Sequence, residues 1–154
     1  MQHAMRRKDR ELTEPDIERI LQENAYGVLS TVGAAGEAYG VPLSYWYKER
    51  RLYFHSAVEG RKLENLQQGH RVSFCVVGPT QVLPDKFSTE YESVVLEGSC
   101  GELTGEAKEA ALLGLVQKYS PAFLEKGRNY IEAAKARVRV FCITADTITG
   151  KARR

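Results

Sequence analysis

Pro42 limits the fold more than any other residue. It lies at the centre of Val41-Pro42-Leu43-Ser44-Tyr45, within a β-type arm that runs from Glu37 to Tyr47. Proline has no N–H to give to a ladder, so this arm must lie at a sheet edge or be interrupted there. The neighbouring backbone groups then need another partner. A flat polar ligand would serve, and so would water.

The rest of the chain is arranged around that arm. Thr13-Glu14-Pro15-Asp16 has the signature of a helix start, with Thr13 as cap and proline in the first turn. Ile17, Ile20 and Leu21 share one helical face, and Asn24 ends the segment. Tyr26 to Val32 is a strand, joined to the proline arm through the turn Gly33-Ala34-Ala35-Gly36. Leu52 to Ser56 is a third strand. A helix from Val58 to Gln68 follows, burying Leu63 and Leu66 and stopping at Gly69.

Arg71 to Val77 is an apolar strand. Pro79 to Lys86 is a loop, and Phe87 to Leu103 holds a long β pattern. A helix opening at Thr104-Gly105-Glu106 carries an apolar stripe of Ala111, Leu112, Leu115, Val116 and Tyr119, and Ser120-Pro121 breaks it. A further helical stretch to about Lys135 places Phe123, Leu124, Tyr130 and Ile131 in the core. Val138 to Ile143 is the last strand, ahead of a polar tail.

This pattern predicts a mainly β, α+β domain. It has about six antiparallel strands in a closed or partly closed barrel, with a few peripheral helices. At 154 residues the chain is one domain, with residues 1–10 and 148–154 as flexible tails. GxGxxG and GxxxxGK[ST] are both absent, so the common nucleotide folds have no support.

A net charge of +2 argues against a nucleic-acid partner, and the basic clusters at the two ends are expected to be solvated. Cys75, Cys100 and Cys142 are odd in number and scattered, which argues against a disulfide framework or a metal site. No apolar run is long enough for a bilayer and the N-terminus has no signal-peptide core. A soluble cytoplasmic protein is expected.

The stretch with most chemistry is Tyr53-Phe54-His55-Ser56-Ala57-Val58-Glu59-Gly60-Arg61-Lys62. It reads as a strand running into a helix. Ser56 and Glu59 have the spacing of a capping box. Arg61 and Lys62 lie just past the first turn, where their side chains lean back toward the open amides. Two cations at a helix N-terminus are unfavourable by roughly 0.3–1 kcal/mol each. An anion among them removes that penalty, and a helix N-terminus is a ready phosphate site. The plain alternative is a solvated helix end.

Several runs together resemble a known family. They are Tyr39 to Tyr45, Leu52 to Ala57 with Gly60-Arg61-Lys62, Val72-Ser73-Phe74, and Tyr91-Glu92-Ser93-Val94 with Gly98. In this order and spacing they resemble the pyridoxamine 5'-phosphate oxidase-like split-barrel flavoproteins. Met5-Arg6-Arg7-Lys8-Asp9 and Thr149-Gly150-Lys151 resemble the nitroimidazole-resistance (Nim) branch.

The resemblance implies FMN at the interface of a homodimer. Val41, Pro42, Leu43, Ser44 and Tyr45 would border the flavin ring through backbone groups. His55, Ser56 and Ala57 would lie beside the flavin and its ribityl phosphate. Arg61 and Lys62 would hold the phosphate, arginine as a fork and lysine as a point charge. Ser93 would reach in from the partner subunit. The arginine-rich segment that the oxidase uses for its own substrate is not evident, which argues against vitamin B6 oxidation.

Of the three histidines, only His55 is placed for chemistry. A histidine there is either a structural hydrogen-bonder or a proton donor to a reduced substrate. Tyr45, Trp46 and Tyr91 could stack on a ring, although Trp46 suits core or interface packing better. The resulting expectation is an FMN-dependent oxidoreductase acting on a small flat acceptor such as a nitroaromatic. The competing readings are a non-catalytic flavin or haem carrier or sensor, and a dimeric domain with no cofactor.

Overall fold

The computed structural model describes residues 3–68 and 70–154. Gly69, the expected stop of the second helix, lies outside them. The chain runs α1 (Glu14–Glu23), β1 (Gly27–Val32), β2 (Ala38–Leu43), β3 (Trp46–Lys48), β4 (Arg51–Ser56) and α2 (Arg61–Gln68). It continues through β5 (Arg71–Val77), β6 (Gln81–Leu83), β7 (Ser88–Leu103), α3 (Gly105–Tyr119), α4 (Leu124–Ala134) and β8 (Arg139–Arg153).

The antiparallel strands follow the order β2-β1-β5-β7-β8-β4-β3, with β6 added on β7. The Pro42 arm is thus both an edge and an interruption. β2 pairs only with β1, placing Pro42 opposite Val28, and then stops at Leu43. Two residues later the chain starts β3 at the far end of the same sheet. The ends of the sheet are therefore joined by Ser44-Tyr45, which nearly closes a barrel. The fold is α+β, as expected. Among the described residues it has eight strands, because β3 separates from β2 and the loop after Pro79 contains β6.

Alternation fills the barrel. Leu29 and Thr31 of β1, Leu52 and Phe54 of β4, and Val72, Phe74 and Val76 of β5 point inward. Ile17, Ile20 and Leu21 of α1 are buried against this core, as their spacing predicts. A second cluster joins Ala111, Leu112 and Leu115 of α3 to Ile131 of α4 and Val140 of β8. Trp46 packs here, 4.9 Å from the Tyr53 ring, and Gly114 leaves room for its indole.

The C-terminal segment departs from expectation. Residues 148–154 are not a flexible tail: β8 extends to Arg153 and stays paired with β7 as far as Tyr91↔Arg153. At the other end, Leu12 N–H donates to Gly150 O at 2.9 Å and Glu11 bridges to Lys151, so the early chain joins the same ladder. The basic end is not simply solvated either. Arg154 and Arg19 both grip Glu92, with Arg19 Nη2 2.7 Å from Glu92 Oε1. This ties α1 to both long strands.

Candidate functional site

β4 ends facing inward at Ser56, which is buried in the same row as Leu52 and Phe54. Its Oγ donates to Ala57 O at 3.0 Å. Ser56 therefore does not cap a helix, and the capping box with Glu59 is not formed. The helix waits for Gly60, whose φ of 145° lies where glycine is at ease. Arg61 and Lys62 are consequently the first residues of α2, within its first turn and not past it. Their own N–H groups are among those an α-helix leaves unpaired.

The position of this helix start is fixed. Leu63 is buried, and Asn65 Nδ2 donates to Thr31 Oγ1 at 2.9 Å inside the structure. α2 is thus bolted to β1. The Arg61 guanidinium then lies 4.3 Å from the centre of the Tyr39 ring on β2. Lys62 sits close enough to His55 to act on its protonation. Burial first, and the Lys62 charge second, hold the His55 imidazole below its ordinary pKa. At neutral pH His55 is therefore a neutral hydrogen-bonding ring, less often protonated than the sequence suggested. Among the described residues neither Arg61 nor Lys62 forms an ion pair. Two uncompensated cations on a positive helix end fit a phosphate.

The β2–β3 link borders this surface. Tyr119 of α3 reaches across to it. Its Oη accepts the Tyr45 N–H at 2.8 Å and lies 2.6 and 2.9 Å from the carbonyl oxygens of Ala25 and Tyr45. The backbone groups of Tyr45 that were expected to seek a ligand are therefore held by Tyr119. The Tyr45 ring is fully buried, edge-on to Phe74, and its hydroxyl donates to Leu21 O at 2.8 Å. It cannot stack on a bound ring. Val41 and Leu43 turn their side chains toward the barrel core, while Pro42 and Ser44 are exposed along the free edge of β2.

A cavity of about 620 Å³ opens beside this edge, between α3 and α4, and is lined in part by Ser44, His55, Tyr119 and Tyr130. Phe123, Leu124 and Tyr130, expected in the core, are instead exposed. Of α4, Ile131 and Ala134 are buried, and Ile131 packs in the cluster of α3 with Val140 of β8.

The structure thus brings together His55, Arg61 and Lys62, with the β2 edge alongside, and adds Tyr39 and Tyr119. Tyr39 was legible as part of the family-like run but carried no role. Tyr119 read only as one more residue in an apolar stripe. Ala57 is exposed in the loop before α2. Ser93 is apart from this group within one chain: it lies on β7, where its Oγ approaches Lys151 O at 3.5 Å.

Burial raises the pKa of all three free thiols, Cys100 to about 12, so none is poised as a nucleophile. Among the described residues no cluster of His, Cys, Asp or Glu is arranged for a metal, and no helix is long and apolar enough to cross a membrane.

The family model described as pyridoxamine 5'-phosphate oxidase matches residues 13–152. The chain belongs to that family. No curated protein matches it in sequence. Solved structures of the pyridoxamine 5'-phosphate oxidase-like split barrel do resemble it. A candidate 5-nitroimidazole antibiotic resistance protein from Bacteroides thetaiotaomicron is 25% identical, with a TM-score of 0.79 over 92% of this chain and 86% of the other. An FAD-binding protein from Mesorhizobium loti is 26% identical, with a TM-score of 0.67 over 94% of this chain and 98% of the other. A conserved hypothetical protein from Mycobacterium tuberculosis, 17% identical, has a TM-score of 0.84 over 98% of this chain and 91% of the other. The fold of this family member is the split barrel.

Proposed function

We propose that this family member binds FMN in a homodimer and reduces a small flat acceptor, with a nitroaromatic as the first candidate. One observation carries the reading: Arg61 and Lys62 stand unpaired at the fixed start of α2, next to Tyr39 and His55. That arrangement suits one terminal phosphate, which favours FMN over a dinucleotide. The free edge of β2 from Val41 to Ser44 borders the ring. Bound flavin would supply the electrons. The chain would supply the phosphate grip, the ring's orientation and, at His55, a hydrogen bond to the ring or the acceptor. The likeness to a candidate nitroimidazole-resistance protein supports the choice of acceptor.

The outer face of the sheet supports the dimer. Val28, Cys75 and Val95 stand in register across β1, β5 and β7. Nearby Val77, Val82 and Phe87 are exposed, Phe87 at 96%. Ser93 belongs to this face, so a second copy would carry its own Ser93 toward the neighbouring site.

The visible spectrum of the purified protein tests the cofactor. Flavin bands are expected, or reconstitution with FMN. A Soret band would indicate haem instead. A colourless protein that takes up no FMN overturns the proposal. Arg61→Ala combined with Lys62→Ala should weaken FMN binding; unchanged affinity removes the phosphate assignment. Anaerobically reduced protein should reoxidise when a nitroimidazole is added. If it stays reduced, the nitroaromatic acceptor is wrong and the flavin site stands.

A further inference from the structure

We infer that the cavity between α3 and α4 binds a neutral aromatic molecule of one or two rings, its polar end on His55. Calling that molecule the electron acceptor rests on the flavin reading above; the binding itself does not.

The cavity is built into the fold. Gly127 of α4 sits directly on Val116 of α3, where any Cβ would collide with the valine. The helices are therefore in close contact beside an opening of about 620 Å³. Small-molecule sites are commonly about 300–1,000 Å³. Leu112, Leu115 and Val116 form one wall and Tyr130, Ile131 and Ala134 the other. Phe123 and Tyr130 also line it, yet they are 61% and 60% exposed. An apolar guest would cover rings that the protein leaves in water.

The polar lining selects the guest. Ser44, His55, Tyr119 and Ser120 offer hydrogen bonds, and among the described residues no carboxylate faces the space. A cation would find no counter-charge. Lys126, the one cationic liner among the described residues, is exposed, so its ammonium stays hydrated. An anion would have to leave water for apolar walls, which is costly without a buried partner. Tyrosine and phenylalanine walls favour a ring that can stack or pack edge-on. His55 also lies beside Lys62, so a guest in this cavity would lie next to the proposed phosphate anchor.

The probe is duroquinone, a neutral ring with every carbon substituted and so inert to thiols; durene is the matching hydrocarbon. Both are titrated into the full-length protein, with and without FMN, and followed by calorimetry. Saturable binding of one duroquinone per chain is expected in both forms. Val138→Phe, which fills the cavity, should weaken it roughly tenfold or more. Tyr130→Ala changes an exposed ring and leaves the core intact, and should also weaken it. His55→Ala should weaken duroquinone by roughly three- to tenfold while leaving durene unchanged.

Absence of saturable binding overturns the inference. So does binding that neither Val138→Phe nor Tyr130→Ala reduces, or displacement of duroquinone by FMN. Duroquinone binding to a chain that refuses FMN upholds the cavity and overturns the flavin reading. FMN binding without duroquinone binding does the reverse.

Discussion

The Lys118 ammonium stands 3.6 Å from the centre of the Tyr45 ring and makes no hydrogen bond among the described residues. Burial lowers its pKa to about 8. An unsatisfied buried polar group costs about 1–3 kcal/mol, and more when charged. A cation–π contact returns roughly 0.5–2 kcal/mol. The missing hydrogen bonds of a buried charged group outweigh the ring contact. Lys118→Met should therefore stabilise the fold by about 1 kcal/mol at pH 7. The sign follows from linkage. The penalty is complete below pH 8, where folded and unfolded forms are both charged, and fades as pH rises toward the ordinary value of 10.5. Thermal melts of parent and variant should differ at pH 7 and converge near pH 10.5. A variant less stable than the parent at pH 7 contradicts this account.

Lys62 and His55 give a prediction for the proposed phosphate anchor. Burial and the Lys62 charge together disfavour the imidazolium. Lys62→Met should raise the His55 pKa toward its ordinary value, since only the burial effect remains. A phosphate seated on Lys62 should raise it too, by neutralising the same charge. NMR titration of the His55 ring, with and without FMN, reads both effects. A His55 pKa that neither change moves would separate the histidine from the anchor.

Glu92 tests the clasp that replaces the expected tail. Arg19 first, and Arg154 second, hold its carboxylate below the usual range. Such a group contributes stability above its unfolded pKa and loses it as pH falls through the folded one. Glu92→Gln should lower stability by no more than about 1 kcal/mol near neutrality, since most of the network faces solvent. The gap should close as pH drops below 4.5. Urea melts at pH 7 and pH 3.5 check this, and an equal gap at both values would contradict it.

What the sequence showed and what it hid have physical reasons. Pro42 declared an edge or an interruption because it has no donor to give to a ladder. The length of β8 was hidden because its inward row after Ile148 continues with Gly150 and Ala152. A side chain at Gly150 would strike Ile17 and Leu12, so the position that packs α1 carries no apolar signal. Ser56 gave a false cap because motif spacing does not reveal that β4 points it inward. The face of α4 was misread because Phe123 and Tyr130 line a cavity that only the folded helices create. The pair of cations that opens α2 was legible because the two are adjacent in the chain. Its Tyr39 contact was not, because β2 and α2 meet only in the fold.

Tyr119 is the residue that holds the β2–β3 link in place. Its hydroxyl accepts the Tyr45 N–H and serves the Ala25 and Tyr45 carbonyls. Tyr119→Phe keeps the ring and removes only those bonds. The Tyr45 N–H is then left without a partner beside a buried ring, at a cost of about 1–3 kcal/mol. The expected result is a lower melting temperature with faster hydrogen exchange at the Tyr45 amide. The β1 amides of Leu29 and Thr31, deeper in the barrel, should keep their protection relative to the global unfolding limit. If FMN borders the β2 edge as proposed, its affinity should fall as well, because Ser44 joins the link to that edge. Unchanged exchange at Tyr45 would mean that the link is held by its neighbours and that the hydroxyl is dispensable.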